Sequence, residues 1–423
     1  MRSKFIFRLS LPVILILVLP LIGNAQKILP TDTSKTIELR IDPADANGGN
    51  ASDFFEKITY IPLESTKEST FGKIDQLEVT DDYYIILDET TNCILFFTKT
   101  GKFHAKIDGG SYHLDYFKRL RDFKVNKWTA QIVVQTSKMN SYIYYDFNGK
   151  KLREVVIERD KHVYRNNYRF VSKDAILEVS NFNDDRPADS TKINYLMGYA
   201  EDLMQKKLTS ALPYTTVGLK SSGDILGASG NGPLYSSRSD TSFLFAKDHD
   251  YRIYQLSPNQ VKLKYQFIFP LQQNLPPNFI YDPAFIEKRI KYLDDHKKVI
   301  FVLSNYHELG NNLFFKASTR DASNKDEYLI YNTESGTLVS YERVLPDENN
   351  SFLPLWDSMD FANNGFTSDG TFLYTDFPSI IMFQAHEANK DRKITYPKAL
   401  NDYFTLGTKK DNPVIIQLKP RQN

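Results

Sequence analysis

One stretch, residues 74–107, limits what this chain can fold into more than any other. Tyr84-Ile85-Ile86-Leu87 is apolar, aromatic and β-branched, and is too short for an ordinary helix. Asp81-Asp82 precede it, and Glu89-Thr90-Thr91-Asn92 follow it with turn chemistry. A second apolar run, Cys93 to Phe97, ends at Thr98-Lys99-Thr100-Gly101, where Gly101 supplies the positive φ of a tight hairpin. Phe103, Ala105 and Ile107 then alternate with Lys102, His104 and Lys106, the period of a half-buried strand. With Ile74, Leu77 and Val79 ahead of them, these runs predict about four short strands. One such sheet cannot bury both faces alone, but stacked copies can.

Weaker copies follow. A second unit runs from Leu120 to Ile157, with Ile132-Val133-Val134, Tyr142 to Tyr145 and the turn Asn148-Gly149-Lys150. A third, from Tyr168 to Leu208, is interrupted by the polar insertion Asn181 to Lys192. A fourth takes Asp224-Ile225-Leu226, Phe243 to Phe245, Ile253-Tyr254 and Val261 to Phe269. Asp282-Pro283 opens a capped amphipathic helix before the fifth, Val299 to Val344. The last takes Gly365-Phe366, Thr371 to Tyr374 and Ile380 to Phe383 as strands, then a helical piece at Lys398 to Phe404. Six four-stranded units imply an all-β, six-bladed β-propeller of antiparallel blades with short helical insertions. A ring must close, and Ile58 to Leu63 and Val414 to Leu418 are placed to complete one blade from both ends of the chain. The expected organisation is a signal peptide at 1–25, a polar leader or linker at 26–53 with one strand near Thr36 to Ile41, and the propeller at 54–423.

Export is read from the N-terminus. Arg2, Lys4 and Arg8 precede a nearly unbroken apolar run, Leu9 to Ile22, and Gly23-Asn24-Ala25 offers small residues for cleavage after Ala25. The expected destination is the periplasm or the exterior, with no membrane span after cleavage. The single cysteine, Cys93, lies in an apolar strand and reads as a small buried hydrophobe. A formal net charge of +1 gives no overall field for nucleic acid or anionic lipid.

Tyr60-Ile61-Pro62-Leu63-Glu64-Ser65-Thr66, Leu87-Asp88 followed by Ile94 to Phe97 and Thr100 to Phe103, and Asp411-Asn412-Pro413-Val414-Ile415 resemble the six-bladed β-propeller proteins of Gram-negative cell envelopes, distant cousins of the NHL-repeat propellers. The resemblance implies an envelope protein. Many such relatives are lipoproteins, and this chain departs from them because no cysteine follows its signal. The loop they carry after the first blade, with a Pro-Gly-Glu core, here reads Asp108-Gly109-Gly110-Ser111-Tyr112-His113-Leu114-Asp115 and lacks that core.

Motifs for chemistry fail. There is no HExxH, P-loop or CxxC, and Gly227-Ala228-Ser229-Gly230 has Asn231 where a nucleophile elbow needs glycine. Polar clusters remain as candidates. Asp108, His113, Asp115, Arg119, Arg121 and Asp122 crowd the connection between the first two blades, a place to bind an anion or sugar if the loop reaches the channel mouth. His307-Glu308 is a further ligand candidate in the fifth unit. Asp184 and Asp185, with Asn183 and Asp189, offer oxygens to Ca²⁺, but lack the EF-hand glycine and terminal glutamate. Asp248 and Asp250 flank His249 and would face one way in a strand. Each cluster also reads as an ordinary charged loop. Phe96, Phe97, Tyr144, Tyr145, Phe243, Phe245, Phe314 and Phe315 recur at equivalent strand positions and read as packing between blades.

The leading expectation is an exported, non-enzymatic, monomeric propeller that binds a ligand or an envelope protein through loops on one face, with no cofactor. The alternative is a metal-dependent hydrolase, lactonase or lyase with a divalent ion at the channel mouth, since propeller ligands lie far apart in sequence. A structural part of an envelope complex is the third.

Overall fold

The computed structural model describes residues 27–422 apart from 111–117, 137–140, 157–166, 181–192, 202, 204–206, 215–233, 248, 281, 325 and 357–364. The chain starts with four short strands, β1 (Lys27–Ile28), β2 (Thr31–Asp32), β3 (Ile37–Arg40) and β4 (Asn47–Asn50), then a longer one, β5 (Phe55–Pro62). Blade 1 is β6 (Gln76–Val79), β7 (Tyr83–Asp88), β8 (Cys93–Thr98) and β9 (Phe103–Asp108). Blade 2 is β10 (Leu120–Asn126), β11 (Gln131–Thr136), β12 (Ser141–Asp146) and β13 (Lys151–Val156). Blade 3 is β14 (Tyr168–Phe170), β15 (Ile176–Val179), β16 (Asn194–Ala200) and β17 (Thr209–Tyr214). Blade 4 is β18 (Tyr235–Ser237), β19 (Ser239–Ala246), β20 (Arg252–Ser257) and β21 (Gln260–Ile268). Blade 5 is β22 (Val302–Leu309), β23 (Asn312–Ser318), β24 (Tyr328–Asn332) and β25 (Leu338–Leu345). Blade 6 is β26 (Thr367–Ser368), β27 (Leu373–Phe377) and β28 (Val414–Pro420), completed by β5. Six antiparallel four-stranded sheets thus form the ring of a six-bladed β-propeller.

The core lies between the blades. Phe96 and Phe97 are adjacent on β8 and point to opposite faces of the sheet, as strand geometry requires. Phe97 packs with Tyr374 and Ile415 of blade 6, and Phe96 with Ile132 and Val134 of blade 2. Each of the other four interfaces has its own apolar slab, so the recurring strand aromatics are inter-blade packing. Closure is as the apolar runs predict: β28 pairs antiparallel with β5 from Val414↔Pro62 to Pro420↔Phe55. Gly101, at φ +80°, turns β8 into β9 where an added Cβ would lie 2.2 Å from the Pro62 carbonyl oxygen.

Residues 27–50 form a strap along the outer edges of three blades. β1 adds in parallel to β17, β2 and β3 to β21, and β4 to β25, before β5 enters blade 6. Leu29, Leu39, Ile41 and Ala46 are buried by this route. Gly48, which suggests a flexible linker by composition, lies where an added Cβ would be 2.7 Å from the Arg343 carbonyl oxygen.

Two local expectations are corrected, and a third falls outside the described residues. Ile380 to Phe383 is not a strand but part of the helix α3 (Ser379–Ala388), which follows α1 (Ala51–Phe54) and α2 (Arg289–Asp295) and precedes α4 (Lys398–Leu406). Pro378 begins α3, and β28, arriving from the C-terminus, fills the third place in blade 6. The third unit does not end at Leu208, because β17 follows. The inner strand of blade 4 is β18, which pairs with β19; Asp224 to Leu226 lies outside the described residues.

Candidate binding face and axial cluster

Strand polarity sorts the connections onto two faces. The first-to-second strand connections, and the third-to-fourth ones of blades 1 to 5, leave at one end of the ring, and the second-to-third and blade-to-blade connections leave at the other. The first set is short, one to eight residues. The second set includes residues 109–119, 180–193, 215–234, 269–301, 319–327, 346–366 and 378–413. One face is therefore plain hairpins, and the other carries nearly all the elaboration, α2, α3 and α4 included. Exposed large hydrophobics are more widely spread. Ile193, Leu271, Ile290, Leu345, Ile380 and Leu406 lie in or at the start of the long connections, with Leu271 88% and Leu406 81% exposed, Trp128 lies on the hairpin face, Ile28 and Ile37 on the strap, and Leu152 and Val156 on the outer strand of blade 2.

The inner strands carry polar residues two apart, so these side chains share the axial side. Gln76 clamps the backbone of Phe123, donating from Nε2 to its carbonyl (2.8 Å) and accepting its N–H (3.3 Å). Asn305 does the same to Phe366, at 2.8 and 2.7 Å, and so joins blade 5 to blade 6. Arg169 donates to Glu78 Oε1 at 2.5 Å and to the Leu234 carbonyl at 3.3 Å. Burial acts to lower the Arg169 pKa, but the Glu78 carboxylate outweighs it, with Asp122 adding to the field, and the net shift is upward. Asp122 also meets Lys124 at 2.6 Å. The Tyr235 hydroxyl accepts the Asn305 N–H at 3.0 Å, and burial pushes its pKa up to about 12. Charges along the axis are thus matched in pairs, and the group fastens inner strands of neighbouring blades. Among the described residues, no three His, Cys, Asp or Glu are arranged to hold a metal ion.

The residues singled out from the sequence are mostly dispersed. Asp108 ends the outer strand of blade 1 and accepts the Gly110 N–H at 2.7 Å. Arg119 turns to Glu89, Arg121 is exposed, and Asp122 lies on the axial strand β10. His113, Asp115, Asp184, Asp185 and Asp248 lie outside the described residues. Asp250 is held by Arg252 through two bonds of 2.7 Å. His249 sits beside it in a turn, with φ +59°, between the Phe279 and Phe301 rings. His307 and Glu308 diverge. His307 is buried, pairs through Nε2 with the Phe366 carbonyl oxygen (3.0 Å), and is pushed down to about 4 by burial. Glu308 points into the blade 4 interface and accepts from Lys264 at 2.5 Å and from Tyr265. Glu78, Arg169 and Tyr235 lie inside short inner strands, where no sequence motif marks them. The alternation Gln76-x-Glu78 and Asp122-x-Lys124 was the available signal.

Among the described residues no helix is long and apolar enough to cross a membrane. In fold, the chain is similar to a presumed exported protein from Bacteroides fragilis NCTC 9343, with TM-score 0.60 and 14% identity over 92% of this chain and 100% of that one. It is more distantly similar to a member of the duf4221 family from Bacteroides vulgatus (TM-score 0.43, 9% identity, 87% and 98% covered). Catalytically inactive virginiamycin B lyase from Staphylococcus aureus is more distant still (TM-score 0.35, 10% identity, 86% and 99% covered). No curated protein matches the sequence. The model of the family described as "Domain of unknown function (DUF4934)" matches residues 36–419, and the chain belongs to that family.

Proposed function

We propose that this is an exported, non-enzymatic propeller that binds its partner through the long-loop face. The observation that carries this reading is the division of connections, with hairpins at one end of the ring and helical insertions at the other. Leu271, Leu345 and Leu406 are exposed on or beside these long connections, where a partner could cover them. The axis supports the same reading. A metal-dependent lyase needs several uncommitted oxygen or nitrogen ligands converging on one point, whereas Glu78 is committed to Arg169 and Asp122 to Lys124. Export rests on the N-terminal segment ending at Ala25 and agrees with the description of the Bacteroides fragilis protein.

The test is photo-crosslinking in the cells that make the protein, with the reactive side chain at position 271, 345 or 406 and, as controls, at 128 or 336. Discrete adducts from the first set and none from the second are expected. Adducts from the hairpin positions alone, or from none of the five, would remove the proposal.

A further inference from the structure

The outer edges of the blades are not treated alike. Blades 3, 4 and 5 each carry an added parallel strand from the strap: β1 beside β17, β2 and β3 beside β21, and β4 beside β25. In blade 6 the outer strand, β5, packs with Leu400 and Tyr403 of α4. In blade 1, β9 lies against the next blade's hairpin, where His104 Nε2 is 3.0 Å from Asn148 Oδ1, and its Ile107 is buried. Blade 2 differs. Every residue of β13 except Val155 is exposed, Leu152 to 44% and Val156 to 59%. Among the described residues, no strand and no loop backbone pairs with β13 from outside its blade. The first described strand of the strap sits on blade 3, so blade 2 is the next edge along the same path.

Blade 4 shows what such an edge accepts. β21 has one extra residue, Lys264, between its rungs to Ile253 and Tyr254, and β3 adds just beyond it, from Ile37 beside Tyr265 to Arg40 beside Ile268. β13 has the same irregularity, with Leu152 extra between its rungs to Tyr144 and Tyr145. Arg153 to Val156 therefore stand where Tyr265 to Ile268 stand. In blade 4, Leu39 of the added strand packs with Phe267 in the slab between blades 4 and 5. Val155, the counterpart of Phe267, faces the slab between blades 2 and 3, with Tyr142 and Tyr168.

Charge on this edge is unbalanced. Lys151 pairs with Glu154 at 2.7 Å. Arg153 makes no ion pair among the described residues, and its guanidinium lies 4.0 Å from the centre of the Tyr144 ring, on the same side of the sheet as Val155. A row of open backbone N–H and C=O groups is matched in full only by another extended chain. We propose that the edge of blade 2 takes an extended segment of a partner protein as a fifth, parallel strand along Arg153 to Val156, with an acidic residue beside Arg153 and an apolar residue two places on, beside Val155. That spacing puts both side chains on the blade 3 side, in the places that Ile37 and Leu39 take on blade 4. The edge is separate from the long-loop face, and the assignment does not depend on that reading.

The test is amide hydrogen exchange on the chain from Gln26 onward, with the peptide Ser-Glu-Thr-Leu-Thr-Ser at millimolar concentration. Exchange at 153–156 slows, and the same peptide with Lys in place of Glu binds about fivefold more weakly. Arg153→Glu reverses that preference. Arg153 is exposed on an edge strand, so the variant folds, and unchanged exchange in blades 3 to 6 checks this. No slowing at 153–156, or a preference that Arg153→Glu leaves unchanged, overturns the proposal. Protection of 153–156 that grows with protein concentration and needs no peptide would give the edge to a second copy. Protection seen only when residues 1–25 are kept would give it to the chain's own N-terminus. Either result also overturns the proposal.

Discussion

Asn412 carries more of this fold than its size suggests. It is fully buried, and its side chain accepts the Phe71 N–H at 3.0 Å while donating to the carbonyls of Glu64 (2.8 Å) and Ser69 (2.9 Å). A fourth bond, from its own N–H to Ser65 Oγ, completes the latch between the two ends of the chain. Truncation would take the side-chain partner from the Phe71 N–H and the Ser69 carbonyl in a dry site, while the Glu64 carbonyl keeps the Ser69 hydroxyl at 2.6 Å. We expect Asn412→Ala to cost about 2–4 kcal/mol in chemical denaturation, with little change in the folded spectrum. A loss below about 0.5 kcal/mol would mean that water replaces the amide. The stretches 60–66 and 411–415 are recognisable in the sequence, but the bond between them is not, because it joins residues more than three hundred apart. The same holds for Asn305 and Gln76, whose carboxamides act as strand neighbours only once the ring exists. The candidate site was therefore poorly legible: loop charges drew attention, while the axial groups sit inside short strands with no motif.

At the scale of elements, the strap is the part that composition disguises. Its strands are two to four residues long and use one edge only, so few apolar side chains suffice and the segment reads as polar. Gly48 marks the tightest point. Gly48→Val would drive a side chain into the Arg343 carbonyl, and backbone shifts of this kind cost roughly 1–3 kcal/mol. The expected outcome is faster amide exchange at 47–50 and 344–345, with blades 1 and 2 unaffected. Uniform exchange across the protein would show that β4 contributes nothing to blade 5. Helix α3 teaches a related lesson. Ile380 to Phe383 has strand-like composition, but Pro378 starts a helix there, and the strand that fills its expected place lies thirty residues on.

Across the whole molecule, the repeat was legible because every blade needs the same two-faced apolar strands to fill the slabs on either side. The thin inner strand of blade 4, three residues with two serines, carries no such signal. Three titratable groups on blades 4 and 5, His307 buried and Glu342 and His249 half-buried, contribute to the response to pH. Burial raises Glu342 to about 7 and lowers His249 and His307 to about 4. A raised carboxyl pKa means the fold holds a proton the unfolded chain releases, so the Glu342 contribution falls as pH rises from about 4.5 through 7. Lowered histidine pKa values act the other way, and their contribution falls as pH drops from about 6.5 through 4. Stability should peak near pH 6.5 and decline on both sides. Glu342→Gln should remove the alkaline decline, which spans only about half a pH unit above the peak and is worth less than about 1 kcal/mol, and leave the acid limb in place. Denaturation midpoints at pH 5, 6.5 and 8 give the comparison; an unchanged drop toward pH 8 in the variant would place its origin elsewhere.

The β5–β28 seam also fixes a timetable. Its two halves are made at opposite ends of synthesis, and β1 to β4 likewise wait for partners between 209 and 345. The first strands to leave the ribosome must stay unpaired until most of the chain exists, and the ring cannot lock before its last ten residues arrive. Long-range pairings of this kind fold slowly, so the rate at which the ring closes is set by how fast its two ends meet, and a chain cut short of β28 would leave blade 6 with an open edge.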